Sequence, residues 1–471
     1  MNNQEFRQYA HQMAEWMADY LENIEDKPVR SLVRPGEVYK QLPVSPPSKG
    51  ESMDSIIDDV NKIILPGITN WQSPNFFAYF PANSSYPSVL AEMMTATFAA
   101  QCMVWETSPA AAELEEKVMN WLKEMTGIPM EFEGVIQDSA STSTLVAILS
   151  AREKASAFSV NENGIEKNQF RVYCSAEAHS SVEKAVKVAG IGRGNLRKIA
   201  VDHQLAMIPD KLEQAILNDI KDGLVPACVI AAVGTTGTVA MDPLGKIAEI
   251  CQKYDVWLHV DAAYAGSAMV LQEYRYLLNG IEHADSYVFN PHKWMFTNFD
   301  CSAYFVKNKE TLIKTFEILP EYLKTRPDNV VNNYRDWGIQ LGRRFRALKL
   351  WFVIREMGVD GIRNTISNHI HWAGELASLI KQTEGFLLYD PQNMGLVCFA
   401  INPAKSREIS EFNRINLEFL HHLNSSGRLY LSHTKVNGRV FLRMVIGQTT
   451  VTREHVFNAW NFIKNEAKQY L

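Results

Sequence analysis

Apolar positions recur at helical spacing over residues 4–24, where Phe6, Tyr9, Met13, Trp16, Met17, Tyr20, Leu21 and Ile24 fall on one face. The opposite face carries Glu5, Glu15, Asp19, Glu22 and Glu25. A helix lying on a membrane surface prefers a basic polar face, so this one is expected to pack on the core or on a second subunit. Prolines at 35, 43, 46 and 47 make residues 28–50 an extended arm rather than a helix. A short helix over 52–65 follows. Residues 71–88, WQSPNFFAYFPANSSYPS, are dense in aromatics and broken by prolines. That texture suits a loop buried against the core and a pocket wall equally well. Helical patterns then cover 88–104 and 110–126, the second ending at Gly127.

From there the texture changes to alternating strands and helices, the signature of an α/β layer. Strands are predicted at 135–137, 171–174, 196–201, 227–233, 256–260, 286–289 and 303–306, with helices at about 139–158, 180–189, after Pro209 and at 243–254. Residues 320–336 are polar and rich in Pro, Asn and Asp, and a loop of that length inside a compact region reads as a lid or as a disordered stretch. Helix resumes from Trp337 to about Gly358. A small α+β domain follows, with strands at 396–400 and 440–445 and a last helix over 452–468. The divisions expected are an N-terminal helical segment (1–85), a large α/β domain (86–350) and a small C-terminal α+β domain (351–471).

A chain of 471 residues with 46% apolar and 10% aromatic residues can fill two or three cores and is not a disordered polymer. Its net charge of −6 argues against nucleic acid, which needs a basic footprint. The six cysteines (Cys102, Cys174, Cys228, Cys251, Cys301 and Cys398) show no CxxC and no paired spacing. Free thiols in a reducing compartment are expected. No basic-then-apolar leader pattern and no apolar run of membrane-spanning length is visible, so a cytoplasmic protein without a membrane partner is expected.

The chemistry gathers at strand ends. In a mostly parallel sheet, ligands bind beyond the carboxyl ends of the strands. Asp261 directly follows the apolar run VWLHV, where a carboxylate is costly unless it meets a cation or a strong donor. Lys293 sits just past the strand 286–289, in FNPHKW, flanked by His292 and Trp294. Most lysines are exposed surface charges. A desolvated lysine, however, changes its pKa readily and forms Schiff bases. Ser139, Ala140 and Ser141 open a helix whose free N–H groups can hold a phosphate. Thr235 and Thr236 end another strand, and His179 precedes a helix start. One ligand, pyridoxal phosphate (PLP), uses a lysine, an acid against its ring nitrogen and an anion site together. Each element alone has a plain structural reading, as a cap or a hydrogen-bonded histidine. Their order along the chain makes the combination specific.

Other chemistries lack their motifs. No GxGxxG lies between a strand and a helix, since Gly190, Gly192 and Gly194 follow a helix and read as a turn. There is no GxxxxGK[ST], HExxH or GxSxG. His369, His371, His421 and His422 lack further ligand spacing and read as surface or packing residues, so no metal is expected.

The segments SPNFFAYFP, SPAAAELE, GVIQDSAS, AHSSVEKA, WLHVDAAYAGSA, FNPHKW, NFDCSA, PEYLK and LGRRFRALKLW resemble the aromatic-L-amino-acid decarboxylases of the group II PLP decarboxylases. The resemblance runs over nearly the whole chain. It implies the fold type I, aminotransferase-like architecture, with a large mixed, mostly parallel sheet flanked by helices. It also implies a homodimer whose N-terminal helices clasp the other subunit. Lys293 would anchor PLP, Asp261 would pair with its ring nitrogen, His179 would stack on the ring and Ala263 would support the other face. Ala140, Ser141 and Asn290 would bind the phosphate, with His292 and Thr235 lining the site. Tyr322, in PEYLK, matches the tyrosine that protonates the α-carbon. Trp71, Tyr79, Phe80 and Pro81 would line the substrate pocket.

The pocket departs from the animal DOPA enzymes of that family. Ala82 stands where they carry a threonine placed for a catechol hydroxyl, which weakens selection for catechols. Gln101 and Met103 stand where apolar and aromatic residues of the partner subunit sandwich the ring. Met103 would be an adaptable wall, and Gln101 could reach an indole N–H or a phenol. Gly342, in LGRRFRALK, matches the small residue of members that accept indoles. The expectation is decarboxylation of tryptophan, phenylalanine or tyrosine in preference to DOPA. Asp138 stands where a glycine is usual before SAS, and its carboxylate is expected to point away from a phosphate. Rival readings are an aldehyde synthase, a decarboxylase of histidine or glutamate, a non-catalytic paralogue and a Rossmann dehydrogenase. Tyr322 opposes the first, the aromatic 71–81 segment an acidic substrate, and the intact Lys293, Asp261 and Tyr322 set the paralogue.

Overall fold

A strand such as residues 227–233, apolar at nearly every position, can be buried only where helices cover both faces of its sheet. The computed structural model, which describes residues 1–167, 169–318, 331–391, 394–403 and 408–471, shows that arrangement. By its internal contacts the chain divides into two units, one of residues 82–369 and one of residues 1–81 with 370–471.

In the unit of residues 82–369, seven strands are β1 (Glu133–Gln137), β2 (Phe170–Ser175), β3 (Leu196–Ile199), β4 (Val225–Ala232), β5 (Trp257–Asp261), β6 (Ser286–Phe289) and β7 (Ser302–Val306). They pair in the order β1-β7-β6-β5-β4-β2-β3. The pairs from β3 through β2, β4 and β5 to β6 are all parallel. β7 is antiparallel to both β6 and β1. Two reversals restore direction, so β1 points the same way as the parallel strands. The helix Ala140–Ala155 crosses strands β4 to β7 and buries Val146, Ala147, Ile148 and Ala151 against them.

Two glycines permit close approaches at the C-terminal edge. Gly234, just after β4, has φ +97°, and a Cβ there would stand 2.8 Å from Cβ of Ala265. A Cβ on Gly266 would collide with Cβ of Phe289 and stand 2.5 Å from the Tyr287 hydroxyl. Glycine at these points lets the segments after β4 and β5 lie directly on each other and on β6.

In the other unit, β8 (Phe386–Leu388), β9 (Leu396–Ile401), β10 (Ser432–Val436) and β11 (Arg439–Val445) form an antiparallel sheet in the order β10-β11-β9-β8. The helices Ile409–Ser425 and Arg453–Ala467 pack on it around Phe399, Phe419 and Trp460. The N-terminal arm belongs to this unit. Val29 N–H donates to Gly427 O at 2.8 Å, Phe77 N–H to Tyr430 O at 3.0 Å, and Val445 N–H to Phe77 O at 2.9 Å.

Most elements fall where the pattern put them, and the departures have physical causes. The helix expected at 88–104 is Tyr86–Phe98, stopped by Ala99 at φ +48°. The helix expected from Trp337 begins at Arg346, and Gly358 kinks it at φ +67° on the way to Gln382. Residues before Arg346 bond elsewhere: Arg335 N–H donates to Met103 O at 2.8 Å, and Arg343 O accepts from Cys102 N–H at 3.0 Å. The boundary drawn at 350/351 falls inside that helical stretch. The 28–50 arm includes one short helix, Glu37–Gln41. Among the described residues, no helix is long and apolar enough to cross a membrane. All six cysteines are free and buried.

Gly266→Ala is expected to lower unfolding free energy by about 1–3 kcal/mol, the range for forcing a methyl into a packed interior. Urea denaturation followed by circular dichroism measures it, and an unchanged midpoint would contradict the close approach.

Candidate active site

The C-terminal ends of β1, β2, β4, β5 and β6 point to one edge of the sheet, and the candidate residues of this unit follow those ends. Lys293 is partly buried in the turn Pro291–Trp294 that follows β6. The turn is tied down at every residue. Asn290 N–H donates to Ala263 O at 3.0 Å, and Asn290 Oδ1 accepts from Ser302 Oγ at 2.6 Å. Asn83 N–H donates to His292 O at 3.0 Å, and Asn83 Nδ2 to Lys293 O at 2.6 Å. Trp294 stacks on Tyr264 with ring centroids 4.5 Å apart and donates its indole N–H to Nδ1 of the buried His369 at 3.0 Å. Ala82 is brought to this turn by its neighbour Asn83.

Asp261 ends β5, with Oδ1 accepting from Ala263 N–H at 3.0 Å and its backbone O accepting from Val233 N–H at 2.9 Å. His179 caps the helix Ser180–Val188, its Nδ1 accepting from Ser181 N–H at 3.2 Å. That bond leaves the ring proton on Nε2. Burial pushes the His179 pKa down; the Asp261 carboxylate opposes this and the Lys293 ammonium adds to it. Asp261, His179 and Lys293 therefore share one electrostatic neighbourhood. His292 is held below its ordinary value, at about 3, by burial first and the Lys293 charge second. Its Nδ1 accepts from Cys301 N–H at 2.9 Å, so it stands as a neutral ring.

Thr235 is buried in the turn after β4, where its Oγ1 accepts from Ala240 N–H at 3.0 Å. Ala140 and Ser141 open the helix after β1, and Ser139 caps it by accepting from Thr142 N–H at 3.2 Å. The Asp138 carboxylate is turned to Ser139 Oγ at 3.2 Å and Gln340 Nε2 at 3.4 Å.

Gln101 and Gly342 come together, while Met103, two residues further along, accepts from Arg335 N–H at its backbone O at 2.8 Å. Gln101 Oε1 accepts from Arg343 N–H at 2.7 Å, and a Cβ on Gly342 would stand 3.2 Å from Gln101 Nε2. Arg343 is itself fixed by a buried ion pair, Nη2 to Glu115 Oε1 at 2.6 Å. Trp71, Tyr79, Phe80 and Pro81 belong to the other unit. There Trp71 stacks on Tyr79 at 5.8 Å, the Tyr79 and Tyr430 hydroxyls are 3.2 Å apart, and Arg443 lies over Phe80 at 5.3 Å. Tyr322 lies outside the described residues. Sequence reasoning missed Asn83, Tyr430 and Arg443. Asn83 was visible only as a polar residue following FFAYFP, and the other two lie far along the chain from the segments they meet.

A lysine, an acid, a histidine and a capped helix N-terminus on one edge fit a molecule with an aldehyde, a ring nitrogen and a phosphate. The chain matches the Pyridoxal-dependent decarboxylase conserved domain over residues 35–402. It is 43% identical to phenylacetaldehyde synthase of Arabidopsis thaliana over 100% of this chain and 97% of that protein. It is 41% identical to tryptophan decarboxylase 2 of Oryza sativa subsp. japonica over 100% and 96%. The crystal structure of Oryza sativa TDC with PLP and tryptamine superposes with a TM-score of 0.96 at 33% identity, covering 100% of this chain and 99% of that one. With a fold of the same type I class and a match of this extent, the chain belongs to the pyridoxal-dependent decarboxylase family.

Proposed function

We propose that this chain decarboxylates an aromatic L-amino acid to the arylalkylamine and CO2, with Lys293 as the covalent anchor of PLP. The observation that carries this reading is the electrostatic grouping of Lys293, Asp261 and His179 at the end of a parallel sheet. An aromatic substrate is favoured by the relatives and by the aromatic make-up of residues 71–81. When bound, PLP supplies an electron sink for the bond to the departing carboxylate.

The chain's own groups have distinct tasks in this reading. With Oδ1 held by the Ala263 N–H, Asp261 would pair with the ring nitrogen of PLP and favour its protonated form. His179, neutral and oriented by Ser181, covers one ring face, and Ala263 the other. The N–H groups at Ala140 and Ser141 receive the phosphate with the favourable end of the helix dipole. Asn290, His292 and Thr235 line the site around them. Tyr322 delivers a proton to the substrate α-carbon. Gln101, Met103, Gly342 and Ala82 select the substrate side chain.

We read the working unit as a homodimer. The helix Tyr86–Phe98 leaves Tyr86, Leu90 and Phe98 exposed by 64%, 56% and 53% in the single chain, a stripe at helical spacing. The helix Asn3–Glu22 buries no residue, with Phe6 62% exposed. Six free buried thiols suit a cytoplasmic setting.

The similarity to a phenylacetaldehyde synthase favours one second reading, release of the aldehyde in place of the amine. Tyr322 separates the two. Purified protein with PLP is expected to release CO2 and amine in equal amounts, and wild-type aldehyde release would establish the second reading instead. Tyr322→Phe is expected to lose amine output and form aldehyde. Lys293→Ala is expected to abolish turnover, with a loss on the order of 10⁴-fold or more for removal of a covalent catalyst. Among tryptophan, phenylalanine, tyrosine and DOPA, kcat/KM is expected to be lowest for DOPA, and a clear DOPA preference would overturn the selectivity assigned to Ala82.

A further inference from the structure

One buried histidine lies outside every role given above. His259 is fully buried on β5, two residues before Asp261 and on the same face of the strand. Its Nδ1 stands 2.9 Å from Ser286 Oγ on β6, its partner in register. Its Nε2 stands 3.5 Å from Thr144 Oγ1 on the helix Ala140–Ala155. Ser286 Oγ also accepts from the indole N–H of Trp257 at 3.0 Å. His259, Thr144 and Ser286 are all without solvent exposure. Burial pushes the His259 pKa down to about 4, with the Asp261 charge opposing. The ring is therefore neutral near pH 7, with one donor and one acceptor nitrogen for a hydroxyl on each side.

The three elements joined at this ring carry the three groups proposed to hold PLP. β5 ends at Asp261. β6 leads into Asn290 and Lys293. The helix bearing Thr144 begins one turn earlier, at Ala140 and Ser141. Ring nitrogen, aldehyde carbon and phosphate sit at fixed separations on a rigid molecule, so the protein groups that meet them must hold fixed separations too. Apolar packing alone tolerates small slides of a helix over a sheet, whereas hydrogen bonds between buried groups impose a register.

We propose that His259 is a positioning residue for PLP: by bonding Thr144 on one side and Ser286 on the other, it sets the spacing of Asp261, the Ala140 helix terminus and the Lys293 turn. This rests on the functional reading above.

The test is titration of the cofactor-stripped full-length chain with PLP, followed by visible absorbance, together with the pH response of the bound band and thermal unfolding of the stripped protein. His259→Phe is expected to weaken PLP binding by about tenfold or more, as misplacement of a binding group does. His259→Asn, which can keep the Ser286 bond, and His259→Gln, which can keep the Thr144 bond, are expected to fall between it and wild type. Thr144→Val, nearly isosteric, cuts one bond only and tests the same idea if His259→Phe fails to fold. It is expected to weaken PLP binding while leaving the stripped protein's melting temperature in place. Lowered melting with unchanged PLP affinity and an unchanged band in the Asn, Gln and Thr144→Val variants would overturn the inference and leave His259 a packing residue. Wild-type protein that binds no PLP would overturn the functional reading, and the inference with it.

Discussion

Everything at the candidate site depends on strand direction. Parallel pairing from β3 to β6, with β7 reversed and β1 restored, sends six strand ends to one edge. At a parallel strand's end the backbone ladder stops, and polar groups that the sheet interior would reject can stand beside one another. Asp261 illustrates the constraint. Its strand partners Ala232 and Val288 are apolar, and beyond the edge its carboxylate meets Ala263, His179 and Lys293. A different order of strands would leave the same residues chemically unrelated.

Direction alone does not fix a lysine within bond-forming reach, and the turn after β6 shows what does. Asn290 is bonded to the segment after β5 and to β7, Asn83 holds two consecutive carbonyls, and Trp294 is gripped between Tyr264 and His369. The Lys293 backbone is thereby held on several sides. Such support is what gives a reactive group a defined geometry. The glycines at 234 and 266 belong to the same design, because a side chain at either point would push neighbouring strand-end segments apart.

Much of this was legible in the sequence because the signals are local. The periodicity of 227–233, the Asp after VWLHV and the lysine after FNP each report on a few adjacent residues, and the strands fell at the expected places. What was not legible is long-range. Ala99 ends a helix in the left-handed region without a glycine or proline to announce it. Residues 337–345 carry a helical pattern, yet Trp337 O accepts from Gln137 Nε2, and Arg343 pairs its N–H with Gln101 Oε1 and its O with Cys102 N–H; those tertiary bonds prevail over propensity. His259 was in plain view inside a quoted motif. Its significance lies in Thr144 and Ser286, which are distant in sequence, and no spacing rule links a strand residue to a helix over a hundred positions away.

The same long-range pairing joins two of the positions proposed to select the substrate. From the sequence, Gln101 and Gly342 are separate departures, one polar and one small, and Gln101 could present either end of its amide. In the folded chain Gln101 Oε1 accepts from the Arg343 N–H, which sets the amide with Nε2 toward Gly342. Any residue larger than glycine at 342 would press on that Nε2, 3.2 Å from the new Cβ, and the Arg343 bond resists its retreat. The two positions are therefore one unit, and a substitution at either changes the setting of the other.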